Sequence, residues 1–439
     1  MSINTTAARS DLALLHELIE MNHWREVHIR EHKADVIWQF PQHETENNSR
    51  IMTTSAIYNR LPGAGVGTNK ARFAQIFKRM QRHFEHDYNF VPLTFDLSYE
   101  ADSLKRHMNA HKGKKTYILK PHNGAEGCGI LLVQQYKQIP AHAFTQGYIA
   151  QEYLSNPLLL DGKKFDLRIY VMVTQIGSYP EKQPVAFIAD EGLVRLCTED
   201  YARPDASNLH NLLSHLTNFS LNKLSDKFVN SEDLDAYNIE QSSKRPLSTV
   251  LNQLKEEQEV DTDFLFDQIS EACEKSLLAM QPYSLIEQEF QFGGRWNERK
   301  GDCFQILGFD IFIDSNLKVW VLEINDHPSL NILLCKEGPT SLLKFPSEVD
   351  KFIKTKVVGD AIKLMRKKKF RQDRTQLPEH GCWKRILPSG EEEDYQTFAK
   401  AKYLYERLLN RKGVRNMTLT CFGKLCKTKT LKAKITRVQ

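Results

Sequence analysis

Two mostly apolar runs, residues 305–313 and 318–325, flank the turn residues Asp314, Ser315 and Asn316. That pattern predicts strand, turn, strand. With Ile313 facing Lys318, Asp310 falls opposite Val321, and a side-chain period of two puts Val321, Glu323 and Asn325 on that same face. Leu307, Phe309, Ile311, Ile313, Trp320, Leu322 and Ile324 then collect on the other face as core. Residues 165–173 alternate in the same way, with Lys164, Asp166, Arg168 and Tyr170 sharing a side. Shorter strands are expected at 117–121, 130–133 and 148–154, with a glycine-rich loop, Gly124-Ala-Glu-Gly-Cys-Gly129, between the first two. A helix is predicted from Lys70 to about His86, capped by Thr68 or Asn69. Residues 262–280 predict a second amphipathic helix, 225–244 a polar surface excursion, and 398–409 a further amphipathic helix. Strands and helices alternate without a repeat, which indicates an α/β (α+β) fold.

Composition places this pattern in a folded protein. The chain has 439 residues, enough for two or three domains, with 41% hydrophobic and 26% charged residues. It holds no apolar run of the about 18 residues that a membrane helix needs. The start, Met-Ser-Ile-Asn-Thr-Thr, lacks the pattern of a secretory signal, so a cytoplasmic location is expected. Eight cysteines are scattered without Cys-x-x-Cys pairs, which predicts reduced thiols and no zinc site. The net charge of +5 hides an asymmetry: residues 363–439 hold 21 Lys and Arg against 7 Asp and Glu. A basic extension on a mildly acidic body attracts polyanions.

Candidate chemistry follows from the polar faces. Asp310, Glu323 and Asn325 form a hard oxygen set with no Lys or Arg interleaved at those positions, a set suited to Mg²⁺. Taken alone, the same pattern also fits a half-exposed hairpin with solvated acids. The glycine-rich loop lets backbone amides approach phosphate oxygens, with Lys120 behind it, although the Gly-Lys-Ser/Thr ending of a Walker loop is missing. A ligand-free turn explains it as well. Lys164, Asp166 and Arg168 make a dense charged ladder that suits an anionic ligand or pairs with itself.

Taken in order, eight pieces of the chain resemble the tubulin-tyrosine-ligase-like family. They are Asn59-Arg-Leu-Pro-Gly63, Tyr117-Ile-Leu-Lys-Pro121, Gly127-Cys-Gly-Ile130, Gln151-Glu-Tyr-Leu154, residues 156–170, His215-Leu-Thr-Asn218, Ser243-Lys-Arg245 and the hairpin, together covering roughly residues 57–333. The resemblance implies an ATP-grasp fold with an N-terminal domain at 1–93, a central lid at 94–152, a C-terminal domain at 153–362 and a basic extension at 363–439. It implies ATP and Mg²⁺ as cofactors. Lys120 and Lys164 would contact ATP phosphates, with Glu126 and Gly127 in the loop over them. Gln151, Glu152, Tyr153 and Leu154 would form the adenine hinge, and Phe165, Asp166, Thr217 and Asn218 would complete the nucleotide site. Lys120 and Arg168 would act in catalysis, Arg168 by steadying the transferred phosphoryl group. Asp310, Glu323 and Asn325 would bind Mg²⁺, and Arg195, Ser220 and Lys244 the incoming amino acid.

The implied activity is ATP-dependent ligation of glutamate to side-chain carboxylates of acidic tubulin tails. A glycylase of the same fold, or an inactive microtubule-binding relative, is the alternative. Partners would be tubulin or microtubules and free glutamate, with no nucleic acid and no membrane. A monomer in the cytoplasm and cytoskeleton, at a cilium or basal body, is expected. Two departures from the family pattern stand out: Cys128 where relatives often carry Arg, and Asp326-His327 after Asn325.

Overall fold

The computed structural model describes residues 1–388 except 29–33, 41–43, 123, 125–126, 178–183, 231–233, 338–341 and 368–373. Two of the sheets formed by the described residues wall the cleft treated below. The larger is antiparallel and runs Lys244–Pro246, Val185–Leu196, Lys163–Gln175, Gln305–Ile313, Val319–Asn325. The smaller, also antiparallel, runs Thr94–Asp96, Tyr148–Glu152, Tyr117–Pro121, Leu131–Val133. A parallel sheet near the N-terminus takes in Asp302–Cys303 beside Ile57–Tyr58, so a late segment of the chain completes an early layer.

The large sheet is buried on both faces, which is why the strand Lys163–Gln175 is apolar at most positions. Leu167, Ile169, Val171, Phe309 and Ile311 pack with Leu265, Ile269 and Leu277 of the helix Thr262–Phe292. Tyr170, Met172 and Phe187 pack on the opposite side with Ile353, Val357 and Ile362 of the helix Glu348–Met365. Tyr170, expected on the polar face, is fully buried in that second core. The side-chain period holds, but the face changes from cleft to core along the strand.

The helix Lys70–His83 begins where expected: Asn69 Oδ1 accepts from the amides of Ala71 and Arg72, each at 3.1 Å. The helix from Thr262 runs past the expected end at Met280 to Phe292, with Pro282 inside it. Proline removes one helical donor, yet burial of Leu277, Leu278 and Met280 and the bonds Gln281 Nε2 to Ile176 O and Gln288 Nε2 to Pro62 O hold the segment in place.

The strand Trp383–Leu387 lies within the stretch set apart by its charge as an extension, and it pairs with Val185–Leu196. Trp383 is fully buried and donates from Nε1 to Val357 O at 3.1 Å. The sheet therefore includes residues beyond 362. The expected helix at 398–409 and the rest of the basic stretch from 389 onward lie outside the described residues. No helix among the described residues is long and apolar enough to cross a membrane.

Candidate active site

The cleft between the two sheets encloses about 1400 Å³. The hairpin forms its floor, with one difference from the expected register. Ile313 pairs with Val319 and Ile311 with Val321, and then a bulge shifts the ladder so that Asp310 faces Glu323 and Gly308 faces Asn325. One extra residue reverses the alternation beyond it. Val321 consequently joins the core, while Leu322 and Glu323 both line the cleft. The three oxygen-bearing side chains still converge, because the bulge lies between Val321 and Glu323.

Those acids are not free of cations, as the hairpin alone suggested; neighbouring strands supply them. Arg168 donates from Nε to Asp310 Oδ1 at 2.5 Å and from Nη2 to Oδ2 at 3.2 Å. Arg195 Nη2 lies 3.1 Å from the same Oδ2. Arg195 also forks onto Asp166 through Nε at 2.7 Å and Nη2 at 2.6 Å, and Thr217 Oγ1 donates to Asp166 Oδ2 at 2.7 Å. The ladder thus alternates sign: Asp166, Arg195, Asp310, Arg168. Burial alone would raise the Asp310 carboxyl, but Arg168 and then Arg195 outweigh it and hold the group well below the usual carboxylate range. Gly308 makes room for this: a Cβ there would come within 2.9 Å of Arg168 Cδ and 2.7 Å of Pro328 Cβ.

Two buried lysines stand above the ladder. Lys120 Nζ donates to Gln151 Oε1 at 3.0 Å, and Gln151 Nε2 donates to Thr94 Oγ1 at 3.2 Å. Lys164 Nζ donates to His215 O at 2.8 Å and to Tyr153 OH at 3.1 Å. Burial lowers both ammonium pKa values, that of Lys164 to about 8. Two cations with neutral oxygen partners in a cleft suit an anionic ligand. Gly127 has φ +81°, and a Cβ there would meet Leu221 at 2.9 Å, so the glycine-rich loop closes tightly against the segment that carries Asn218.

Of the residues singled out in the sequence, Lys120, Gly127, Gln151, Glu152, Tyr153, Leu154, Lys164, Asp166, Arg168, Arg195, Thr217, Asn218, Ser220, Asp310, Glu323 and Asn325 line this cleft. Glu126 lies outside the described residues. Phe165, on the opposite face of its strand, is 1% exposed and packs in the core. Lys244 stands off the wall: its ammonium lies 3.7 Å from the centroid of the Phe219 ring, and that ring lines the cleft.

Sequence reasoning passed over Lys70, whose Nζ donates to Gly124 O at 3.1 Å and lies 3.5 Å from Glu323 Oε2. It therefore ties the glycine-rich loop to the hairpin. Nothing local marks it, since both partners are remote in sequence. His215 lay inside a matched motif but had no role assigned; its backbone carbonyl holds Lys164.

The donor chemistry of Asp310, Glu323 and Asn325 fits a hard divalent cation, two carboxylates and an amide from facing strands. Such a cation would compete with Arg168 and Arg195, which pair with Asp310. Among the described residues no group of three His, Cys, Asp or Glu is placed to hold a metal.

A family model described as the tubulin-tyrosine ligase family matches residues 47–342, more than half of the 439 residues. The chain is 37% identical over 271 residues to the tubulin polyglutamylase ttll6 of Danio rerio, covering 62% of this chain and 32% of the relative. It is 31% identical over 374 residues to the tubulin polyglutamylase TTLL11 of Mus musculus, covering 83% and 49% respectively. With the tubulin polyglutamylase TTLL7 of Mus musculus the identity is 36% over 299 residues, covering 67% and 31%. The matches thus span between 31% and 49% of these relatives' own lengths.

Proposed function

The chain belongs to the tubulin-tyrosine ligase family, and from that premise we propose that it is an ATP-dependent polyglutamylase of ATP-grasp fold that joins glutamate to side-chain carboxylates of acidic tubulin tails. The observation that carries this reading is the ladder of Asp166, Arg195, Asp310 and Arg168 beneath Lys120 and Lys164. It gathers four cations around two carboxylates in one cleft, the arrangement needed to handle a nucleotide, a carboxylate and an anionic amino acid together.

The residues divide the work by position. Lys120 and Lys164 hold nucleotide phosphates, and the strand Tyr148–Glu152 with Tyr153 and Leu154 offers the base its edge. Arg168 steadies the phosphoryl group as it passes to the acceptor carboxylate, giving an acyl phosphate that the amine of the incoming amino acid attacks with release of phosphate. A carboxylate is a poor acylating agent in water, so the cleft must also exclude water. Asp310, Glu323 and Asn325 would hold Mg²⁺, which when bound neutralises charge on the phosphates. Arg195 and Ser220 face the amino acid. Work at the cytoskeleton, including cilia or basal bodies, follows from tubulin as the acceptor.

Mass spectrometry of microtubules incubated with the protein, ATP, glutamate and glycine decides between amino acids. The expected product carries successive glutamyl increments on tail peptides; glycyl increments, or none, overturn the reading. The basic stretch supplies the grip on the acidic lattice, since residues 389–439 hold 12 Lys and Arg against 5 Asp and Glu. Truncation has to follow residue 388, because Trp383–Leu387 belongs to the sheet. The truncated protein is expected to co-pellet with microtubules less than the full chain, with the difference shrinking steeply as salt rises. Equal pelleting of the two removes the grip from this segment.

A further inference from the structure

Behind the cleft lies a buried charge cluster built on Lys244, the lysine that the family resemblance assigns to the amino acid, and its other members have no role in the mechanism above. Lys244, Asp350 and Lys354 are 6%, 2% and 4% exposed. Lys244 Nζ donates to Asp350 Oδ2 at 2.7 Å, and Lys354 Nζ lies 2.7 Å from Asp350 Oδ1 while donating to Asn331 O, also at 2.7 Å. Ser347 Oγ donates to the same Asp350 Oδ2 at 2.7 Å and accepts from the Asp350 amide at the start of the helix Glu348–Met365. Two ammonium groups therefore share one carboxylate in the protein interior, and the buried Asp11 carboxylate also acts electrostatically on Lys354. A buried ammonium held by charged hydrogen bonds is fixed in place by its partners.

The cluster adjoins the cleft at one place. Lys244 pairs in register with Arg195, which lines the cleft, and Arg195 lies near enough to act on the Lys244 ammonium electrostatically. The Phe219 ring, which lines the open space, lies against that ammonium at 3.7 Å from its centroid. Asn331, whose carbonyl holds Lys354, is on the same wall.

We propose that Asp350 is a positioning residue for the amino-acid substrate. It draws the Lys244 ammonium under Phe219 and aims it at the carboxylate of the incoming amino acid, which displaces the ring. Asp350 acts through Lys244 and does not itself touch substrate. The inference rests on the ligase reading given above, and it adds a reason why a helix 106 positions along the chain from Lys244 tunes amino-acid capture.

Steady-state incorporation of labelled glutamate by the full chain, with KM for glutamate, KM for ATP and kcat measured separately, tests it. Asp350→Asn is expected to raise KM for glutamate about tenfold, the loss of one charged hydrogen bond, while KM for ATP and kcat stay within about threefold. Asp350→Glu should restore part of the glutamate affinity, which a purely structural role would not produce. Ser347→Ala keeps every charge paired and should raise KM for glutamate by about threefold; it decides the matter if Asp350→Asn does not fold. An unchanged KM for glutamate in the variant that folds, or equal losses in all three constants, overturns the positioning role while the ligase reading stands. A wild type that transfers glycine instead refutes the glutamate assignment, and the same split in KM for glycine then supports the positioning role. A wild type that transfers neither removes the ligase reading and this inference with it.

Discussion

Asp310→Ala is expected to abolish ligation, with a fall of about 10³-fold or more in the rate of labelled glutamate incorporation. The carboxylate is a donor for the implied cation and also the partner of two arginines, Arg168 at 2.5 Å and Arg195 at 3.1 Å. Its removal leaves Arg168, only 12% exposed at the side chain, without that partner. Breaking a buried pair from one side destabilises by about 3–5 kcal/mol, so the thermal midpoint should fall as well. Asp310→Asn keeps the shape and should lose as much activity.

The pH dependence gives an independent check. Because the folded-state carboxyl titrates below its ordinary 3.8, its stabilising contribution is complete above that value and is lost as pH falls through the lower folded value. The Asn variant should lack this acid-sensitive component. A variant that retains more than a tenth of the wild-type rate excludes Asp310 from the reaction.

Lys164→Met is expected to separate activity from stability. Its ammonium is buried against Tyr153 and His215, and burial lowers its pKa from 10.5 to about 8. At pH 7 the charged form is therefore strained in the fold by about 3 kcal/mol, and a methionine of similar length relieves that strain. The lost hydrogen bonds to Tyr153 OH and His215 O take back about 1 kcal/mol each, leaving a net gain of about 1 kcal/mol. The sign follows from proton binding: between pH 8 and 10.5 the unfolded lysine holds more proton than the folded one, so wild-type stability rises with pH and the variant's advantage disappears. Ligation should fall by about 10²–10³-fold, since a cation proposed to hold nucleotide phosphate is gone. Denaturant titrations at pH 7 and pH 10 measure the first effect, and initial rates the second. A variant less stable than wild type at pH 7 would show that the lysine is well accommodated; an active one would remove it from the phosphate site.

The strands of the cleft were legible because a strand with one face toward a polar cleft and the other in the core carries a period of two. Asp310, Glu323 and Asn325 are on one face in the structure as in the sequence pattern, and Asn69 caps its helix because a cap is made within three residues. What failed were statements that extend a local rule past its range. A strict period put Val321 with Glu323, whereas the bulge sends Val321 to the core and Leu322 to the cleft; no glycine marks the spot. The amphipathic pattern placed a helix end at Met280, whereas buried packing carries the helix to Phe292.

The sequence by itself determined which residue types meet the cleft and on which strand faces most of them lie, because side-chain alternation and capping are settled within a few positions. Only the tertiary structure decided what those charges face. Asp310 meets Arg168 and Arg195, Glu323 meets Lys70, and Lys244 meets Asp350 across separations of up to 253 residues. Burial removes the water that would otherwise satisfy each charge, so the fold must supply a partner, and no local pattern states which remote residue that will be.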